Sequence, residues 1–317
     1  GNAKVDHQRE RRMAMMGKYA GILDDPELDG DTADLGDPVP PKPVSAETMS
    51  AVSSIERLSP REARELQASL GETTRSVDLG KGVTLELTRI PEAKPLVDEP
   101  FWMGTVEVTN EQFAAFDSAH DSRLEHGDFL QFGIAERGFP VDGPQQPVAR
   151  VSWDRATAFC EWLSEQTGLN VTLPTETQWE HACRAGSDTA LWYGGTDSDF
   201  SQFANLADQN LSAIQNYAPW NLPSGALMPY RPAMTGVDDG HRVSADVGGF
   251  APNAWGLHDM HGNVAEWTRS STDDAGEMVV RGGSWYDMPG RATSAFRTAY
   301  PRYRGVYDVG FRIVVGE

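Results

Sequence analysis

Along this 317-residue chain the apolar positions change period several times, and each change marks an element. After Ser152, the residues Ala156, Phe159, Cys160 and Leu163 recur at the spacing of one helix face, and Gly168 supplies a left-handed stop. Two more helices are marked by their starts. Thr109 with Gln112, and Thr175 with Gln178, are spaced as capping boxes, in which a hydroxyl and an amide each take up an orphan backbone N–H. They predict a helix through Phe113 and Phe116, and another that ends at Gly186. Ser59 and Pro60 open a short helix over 60–70. Period-two alternation predicts a strand at Val83–Leu87, and β character continues through Phe101–Gly104 and Val106–Val108. Strands return at Met278–Gly282 and Gly310–Val315, and residues 8–23 have the pattern of a short charged helix.

Between these elements the periodicity fails in two places. Residues 24–46 are acidic and Pro-rich, the composition of a linker or extended arm. Their Asp29-Gly30-Asp31 does not meet the twelve-residue calcium-loop spacing, because the closing Glu is missing. Residues 187–252 are rich in Gly, Asp, Asn and Pro, and so long a loop-rich stretch inside a domain must be functional or pinned by a ligand. The chain therefore divides into an N-terminal extension, 1–80, with short helices, and a domain over 83–317. No internal repeat is visible.

Charge changes this picture more than composition does. The formal net charge of −20 excludes general affinity for nucleic acid and favours cationic partners and metal ions. Lysine stops at Lys94, so the positive charge beyond it is all arginine. In 281–312 six arginines (281, 291, 297, 302, 304, 312) face only Asp287 and Asp308, a net of +4 inside an acidic protein. Arginine is the residue for fixed, bidentate or stacked contacts.

Cys160 and Cys183 fall on predicted helices among core residues, which reads as two buried thiols, with a mutual disulfide second. No apolar run reaches the roughly 18 residues of a membrane span. The chain begins at Gly1 rather than Met, the mark of a processed or truncated product, and a removed leader would leave no trace.

Seven blocks, in a fixed order, carry a resemblance. They run from Met103-Gly104 and Glu107–Phe113, through Pro147–Trp153, Ala158–Leu163 and Leu173–Glu180 with Cys183–Gly186, to Trp255–Trp267, Arg281–Trp285 and Gly310–Arg312. In that order over about 83–317 they resemble the formylglycine-generating enzyme, or sulfatase-modifying factor, family. The resemblance implies an α/β (α+β) domain related to C-type lectins, with low regular secondary structure and an extended N-terminal arm beside it. It also implies two calcium sites. One would take side-chain oxygens of Asp259 and Glu266 and carbonyls of Gly262 and Val264; the other would take Asn205, Leu206, Asp239 and His241, again with two carbonyls. Asp259 stands where the family has Asn, an oxygen donor in either case. Such hard donors suit Ca²⁺.

The family's namesake chemistry is a different matter. Its members hold copper on a pair of cysteines in the stretch after the Gly-Gly-Ser block. Here no cysteine follows Cys183, and Asp287 falls near the first cysteine's position. A carboxylate does not supply the soft thiolate that selects Cu(I). Iron-dependent relatives draw histidines from an extra N-terminal domain, whereas residues 1–80 hold only His7. Copper and iron are therefore not expected, and formylglycine generation is not either. His258 and His261 have the spacing of a metal pair, although histidine in such a Gly-Asn turn more often serves as a hydrogen-bonding residue.

Two readings stand for the segment 285–307. Trp285, Tyr286, Asp287, Arg291, Arg297, Tyr300, Arg302, Tyr303 and Arg304 combine the residue types enriched at binding hot spots, and would dock a protein, peptide or glycan. Alternatively the aromatics are core and the arginines pair with the chain's many acids. The expectation is a calcium-stabilised binding or structural subunit of a larger assembly, in an extracytoplasmic setting. A metal-dependent oxidoreductase using the same cleft is the alternative.

Overall fold

The computed structural model describes residues 57–125, 139–211, 232–272 and 276–316. The expected helix over 8–23 and the acidic arm over 24–46 lie outside the described residues.

The helix starts are where the hydroxyls put them. Helix α1, Pro60–Ser69, and helix α2, Asn110–Ala114, begin in complete capping boxes at Ser59 and Thr109. Helix α3, Trp153–Thr167, is capped by Ser152 and ends at Gly168 with φ +71°. Helix α4, Glu176–Arg184, starts in the Thr175 box and stops short of Gly186, because Ala185 already turns left-handed at φ +44°.

Five strands form the larger sheet. They are β1 (Thr74–Gly80), β2 (Val83–Ile90), β3 (Phe101–Gly104), β6 (Val171–Thr172) and β11 (Val314–Val315), in the order β1-β2-β3-β11-β6. A β4–β5 pair (Leu124–Glu125 with Phe139–Pro140) stands apart. The second sheet is β10 (Val309–Gly310), β7 (Ala265–Ser271), β8 (Glu277–Arg281) and β9 (Thr298–Pro301), in that order. The expected strand over Gly310–Val315 is thus split between two sheets by Phe311–Ile313. Val106–Val108 is not a strand; Val108 N–H donates to Phe311 O and its carbonyl accepts from Val148 N–H.

Sheet and helices share one core of Leu87, Phe113, Phe159, Leu163, Trp267 and Phe311, all fully buried. Strand β1 and helix α1 belong to this folded unit although they precede residue 83. Strand β1 pairs with β2 from Thr74↔Thr88 onward. From α1, Gln67 Nε2 donates to Arg89 O at 2.8 Å, and Trp255 Nε1 donates back to Ala63 O at 3.0 Å. The result is the mixed α/β class with sparse regular structure. The described loops over 187–211 and 232–264 carry side-chain hydrogen bonds to backbone, among them Asn205 to Val243 O, Leu206 N–H to Asp239 and Ala245 N–H to Asn263, and these position the chemistry below.

Candidate functional site

Arg312 lies between the sheets with 0% exposure, and a buried guanidinium must find carboxylate or carbonyl partners. Its Nε and Nη2 fork onto Glu266 at 2.7 and 2.6 Å. Nη1 donates to Gly104 O and Nη2 to His258 O, both at 3.1 Å. Trp179 Nε1 adds a third donor to Glu266 Oε2 at 2.7 Å, so both oxygens of that carboxylate are engaged. Two further buried carboxylates stand around the same guanidinium. Glu107 Oε1 accepts from Asn263 Nδ2 at 3.1 Å, and Asp259 Oδ2 accepts from Gly248 N–H at 2.7 Å. Glu107 Oε2 and Asp259 Oδ1 are buried with no hydrogen-bond partner. Burial, and then the Asp259 charge, push the Glu107 carboxyl well above the usual range. Burial raises Asp259 too.

Gly262, four residues before Glu266, seats this cluster against a second one. Its φ of +84° and the close approach of the Asn205 backbone exclude a side chain there. Asn205 pairs with Gly262 in an isolated parallel bridge, and its Oδ1 is also a buried oxygen without a partner. Leu206 N–H and His241 N–H each donate to one oxygen of Asp239, at 3.0 and 2.8 Å. The four residues expected at the second calcium site are thereby gathered in one turn cluster. Burial, and the nearby Asp208 carboxylate, lift Asp239 to about 7. Among the described residues no three His, Cys, Asp or Glu side chains converge as a metal cage. A cation at either cluster would therefore complete its shell with carbonyls and water, as Ca²⁺ does readily. The unpartnered oxygens of Asp259, Glu107 and Asn205 fit that chemistry.

The histidines are built into the frame. Trp192 N–H donates to His261 Nε2 at 3.0 Å, which leaves the proton on Nδ1 to donate to Ala292 O at 2.6 Å. His258 Nδ1 contacts Phe250 O at 2.7 Å. The two imidazoles thus serve different carbonyls and do not make a metal pair. Cys183 Sγ lies 3.6 Å from His261 Nε2, and burial pushes its thiol up to about 12. Cys160 and Cys183 are both buried and free, so neither is a ready nucleophile.

Burial lowers His261 from the ordinary 6.5 to about 4. The unfolded chain then binds a proton that the fold refuses. His261's contribution to stability is complete above about 6.5 and is lost as pH falls toward 4. Urea midpoints at pH 7.5 and pH 5 should differ more for the wild type than for His261→Gln. An equal acid loss in both would show that His261 is not the group responsible.

The arginine-rich segment is largely satisfied from within. Arg281 reaches Glu176 at 2.5 Å and Glu180 at 2.7 Å, and Arg297 reaches Glu176 at 2.7 Å. Arg291 pairs with Asp287 at 2.7 Å, and Arg302 pairs with Asp154. Trp285, expected on a partner surface, is 1% exposed and packs with Val141, Val243 and Val264. An indole between two loops is worth more as core than as surface, and that corrects its assignment. Asp287 Oδ2 also accepts from Ser284 N–H at 3.1 Å, while Ser284 Oγ donates to Asp308 at 2.8 Å. Burial, with Asp308 and Asp287 beside it, raises the Tyr300 phenol. Tyr286, Asp287, Arg291, Arg297, Tyr300 and Arg304 are half-buried, whereas Tyr303 is 77% exposed. Its neighbour Arg302 stacks on Trp153 at 4.9 Å. Trp153 is one wall of a groove of about 350 Å³ lined also by Thr157, Glu161, Leu173 and Arg269.

Glu107 and Asp308 are the site residues that the sequence expectations left out. The signal for Glu107 was a lone acid between two valines, Val106 and Val108. Asp308 was marked only as one of the two acids among the arginines of 281–312.

The profile of the sulfatase-modifying factor enzyme 1-like domain family matches residues 67–316. The chain is 32% identical over 202 residues to a formylglycine-generating enzyme of Thermomonospora curvata, covering 53% of this chain and 59% of that protein. It is 34% identical over 144 residues to the inactive C-alpha-formylglycine-generating enzyme 2 of Mus musculus, covering 44% and 38%. It is 28% identical over 204 residues to the hercynine oxygenase of Mycobacterium tuberculosis, covering 58% and 39%. The chain thus spans less than two thirds of these relatives' length. Among solved structures, PvdO from Pseudomonas aeruginosa superposes with a TM-score of 0.56 at 21% identity, covering 78% of this chain and 99% of that one. Treponema denticola variable protein 1 gives 0.55 at 19% identity, covering 77% and 99%. At these identities the two structures speak for the fold.

Proposed function

The chain belongs to the sulfatase-modifying factor enzyme 1-like domain family, and from that membership we propose a binding or structural subunit stabilised by calcium rather than a cysteine-oxidising enzyme. One observation carries the reading. Where the resemblance puts the first copper cysteine, this chain has Asp287, committed to Arg291 and to Ser284 N–H. The two thiols present are buried elsewhere in the fold. The likeness to a relative named as inactive supports the same conclusion.

Calcium would be held at the Asp259 and Asn205–Asp239 clusters, where it would supply charge balance and fix the loops. The surface for a protein, peptide or glycan would be Tyr303 and Arg302 with the half-buried Arg304, beside the Trp153 groove. Among the described residues no helix is long and apolar enough to cross a membrane. An extracytoplasmic setting, as one component of a larger assembly, belongs to the same proposal, because weak calcium sites fill where calcium is abundant.

Metal analysis and oxygen uptake test it together. The purified protein should carry calcium, no stoichiometric copper or iron, and should consume no O₂ with thiol peptides. Stoichiometric copper or iron together with O₂ uptake would replace the proposal with the second reading, a metal-dependent oxidoreductase. That alternative has its own observation: Ser284 lies between Asp287 and Asp308 beside Tyr300, a hard-donor group in place of thiols. The likeness to hercynine oxygenase points the same way.

A further inference from the structure

The groove at Trp153 holds charges that the fold does not use. Helix α3, the end of β6 and strand β7 bring Trp153, Glu161, Val171, Leu173 and Arg269 to one recess of about 350 Å³. Between 281 and 302, arginine is spent on internal carboxylates: Arg281 and Arg297 on Glu176, Arg291 on Asp287, Arg302 on Asp154. Arg269 is exposed, and among the described residues its guanidinium makes no ion pair or hydrogen bond. The exposed Glu161 carboxylate makes none there either. A cation and an anion thus line one recess without meeting each other.

The walls are fixed in place. Trp153 Nε1 donates to Thr268 O at 2.9 Å, and Arg302 stacks on its ring at 4.9 Å. Arg269 N–H donates to Pro174 O at 2.8 Å, which ties β7 to the chain leaving β6. Trp153, Thr157 and Glu161 follow one another at i, i+4 and i+8, along one face of α3. Thr157 keeps a buried hydroxyl with no hydrogen-bond partner. Strand β6 is the last strand of the larger sheet, but Val171 N–H is already taken by Ser164 Oγ at 3.0 Å. That edge does not offer this donor to an incoming strand, so an occupant is held through side chains.

We propose that the groove binds a free apolar α-amino acid as its zwitterion, with its ammonium toward Glu161, its carboxylate toward Arg269 and its side chain against Trp153, Val171 and Leu173. About 350 Å³ is at the small end for ligand sites, room for one such molecule. Each part of the ligand meets its complement. A guanidinium presents paired N–H donors to a carboxylate, a carboxylate accepts from an ammonium, and apolar surface leaves water against apolar surface. An apolar anion or cation alone would leave one of the two protein charges facing the ligand unmatched. The site lies beside the surface proposed at Tyr303 and Arg302, and it does not depend on calcium.

Calorimetric titration with L-leucine tests it, alongside three blocked forms. N-acetyl-leucine lacks the ammonium, leucinamide lacks the carboxylate, and N-acetyl-leucinamide lacks both. At about pH 6.5 leucinamide keeps its positive charge. Leucine should saturate the wild type below about 10 mM, and each blocked form should bind at least about tenfold more weakly. Arg269→Gln should lose the preference for leucine over leucinamide and keep that over N-acetyl-leucine. Glu161→Gln should do the reverse. Such an exchange of preferences is not produced by a loosened fold, and both variants should melt with the wild type, because neither side chain holds another part of the protein. Absence of saturable leucine binding would overturn the proposal. Equal binding of leucine and N-acetyl-leucinamide would assign the groove to an apolar side chain of a peptide and overturn it too. So would an equal loss of all four compounds in Arg269→Gln. None of these outcomes bears on the calcium reading.

Discussion

Arg312→Met should lower the stability of the domain by about 3–5 kcal/mol when unfolding is followed in EDTA, the range for breaking one side of a buried ion pair. For a domain of this size that is a fall in melting temperature on the order of 10 °C. The physical reason is the count around the guanidinium. Glu266, Glu107 and Asp259 all act on Arg312, and among the described residues Arg312 makes the ion pair of Glu266. Its removal leaves three buried carboxylates and strips Glu266 of two charged donors. Glu266→Gln should cost less, because Arg312 keeps Glu107 and Asp259 nearby and Trp179 Nε1 keeps an oxygen to donate to. Calcium should restore part of the Arg312→Met loss and little of the Glu266→Gln loss. Equal losses in the two variants, or a loss under about 1 kcal/mol for Arg312→Met, would show that the carboxylates are neutralised in another way.

Gly262→Ala should be comparably damaging for a steric reason. A Cβ there would overlap the Asn205 carbonyl oxygen and lie 2.8 Å from its carbon and 2.9 Å from Leu206 Cδ2. The left-handed φ of +84° adds strain of about 1–3 kcal/mol, and overpacking adds about 1–3 more. Asn205 and Gly262 join the two oxygen clusters, so if calcium binds as proposed above, displacing one strand of that bridge should weaken it at both. Gly240→Ala is the control, with a similar φ of +87° and nothing within 4 Å of the new methyl. Denaturant titration should separate the two by at least about 1.5 kcal/mol. A Gly262→Ala protein no less stable than Gly240→Ala would mean that the Asn205 loop yields without cost.

What could be read from the sequence was local. Hydroxyl caps at Ser59, Thr109, Ser152 and Thr175 fixed the helix starts to the residue, because a cap is a contact between near neighbours. Strand β7 went unread because Ala265, Glu266, Trp267 and Thr268 are all buried, so the chain shows no alternation there. Strand β9 went unread because its four residues are all half-exposed and carry no contrast. The calcium expectations came from block order, and what the fold adds is that Leu206 N–H and His241 N–H both donate to Asp239. The partner of Glu266 could not be read, since Arg312 is 46 residues away and only the packing of two sheets brings them together. The excess of arginine in 281–312 was legible as charge but not as geometry. Glu176, Glu180 and Asp154, which answer it, come from α3 and α4.

Strand β11 has a consequence for how the protein is made. It lies between β3 and β6, inside the larger sheet, although it follows both by more than a hundred residues. During translation, therefore, β3 and β6 leave the ribosome without the strand that joins them. They must wait for almost the whole domain to be synthesised before their hydrogen bonds close. A nascent chain stalled short of Val314 would expose two unpaired strand edges, each a template for pairing with another chain.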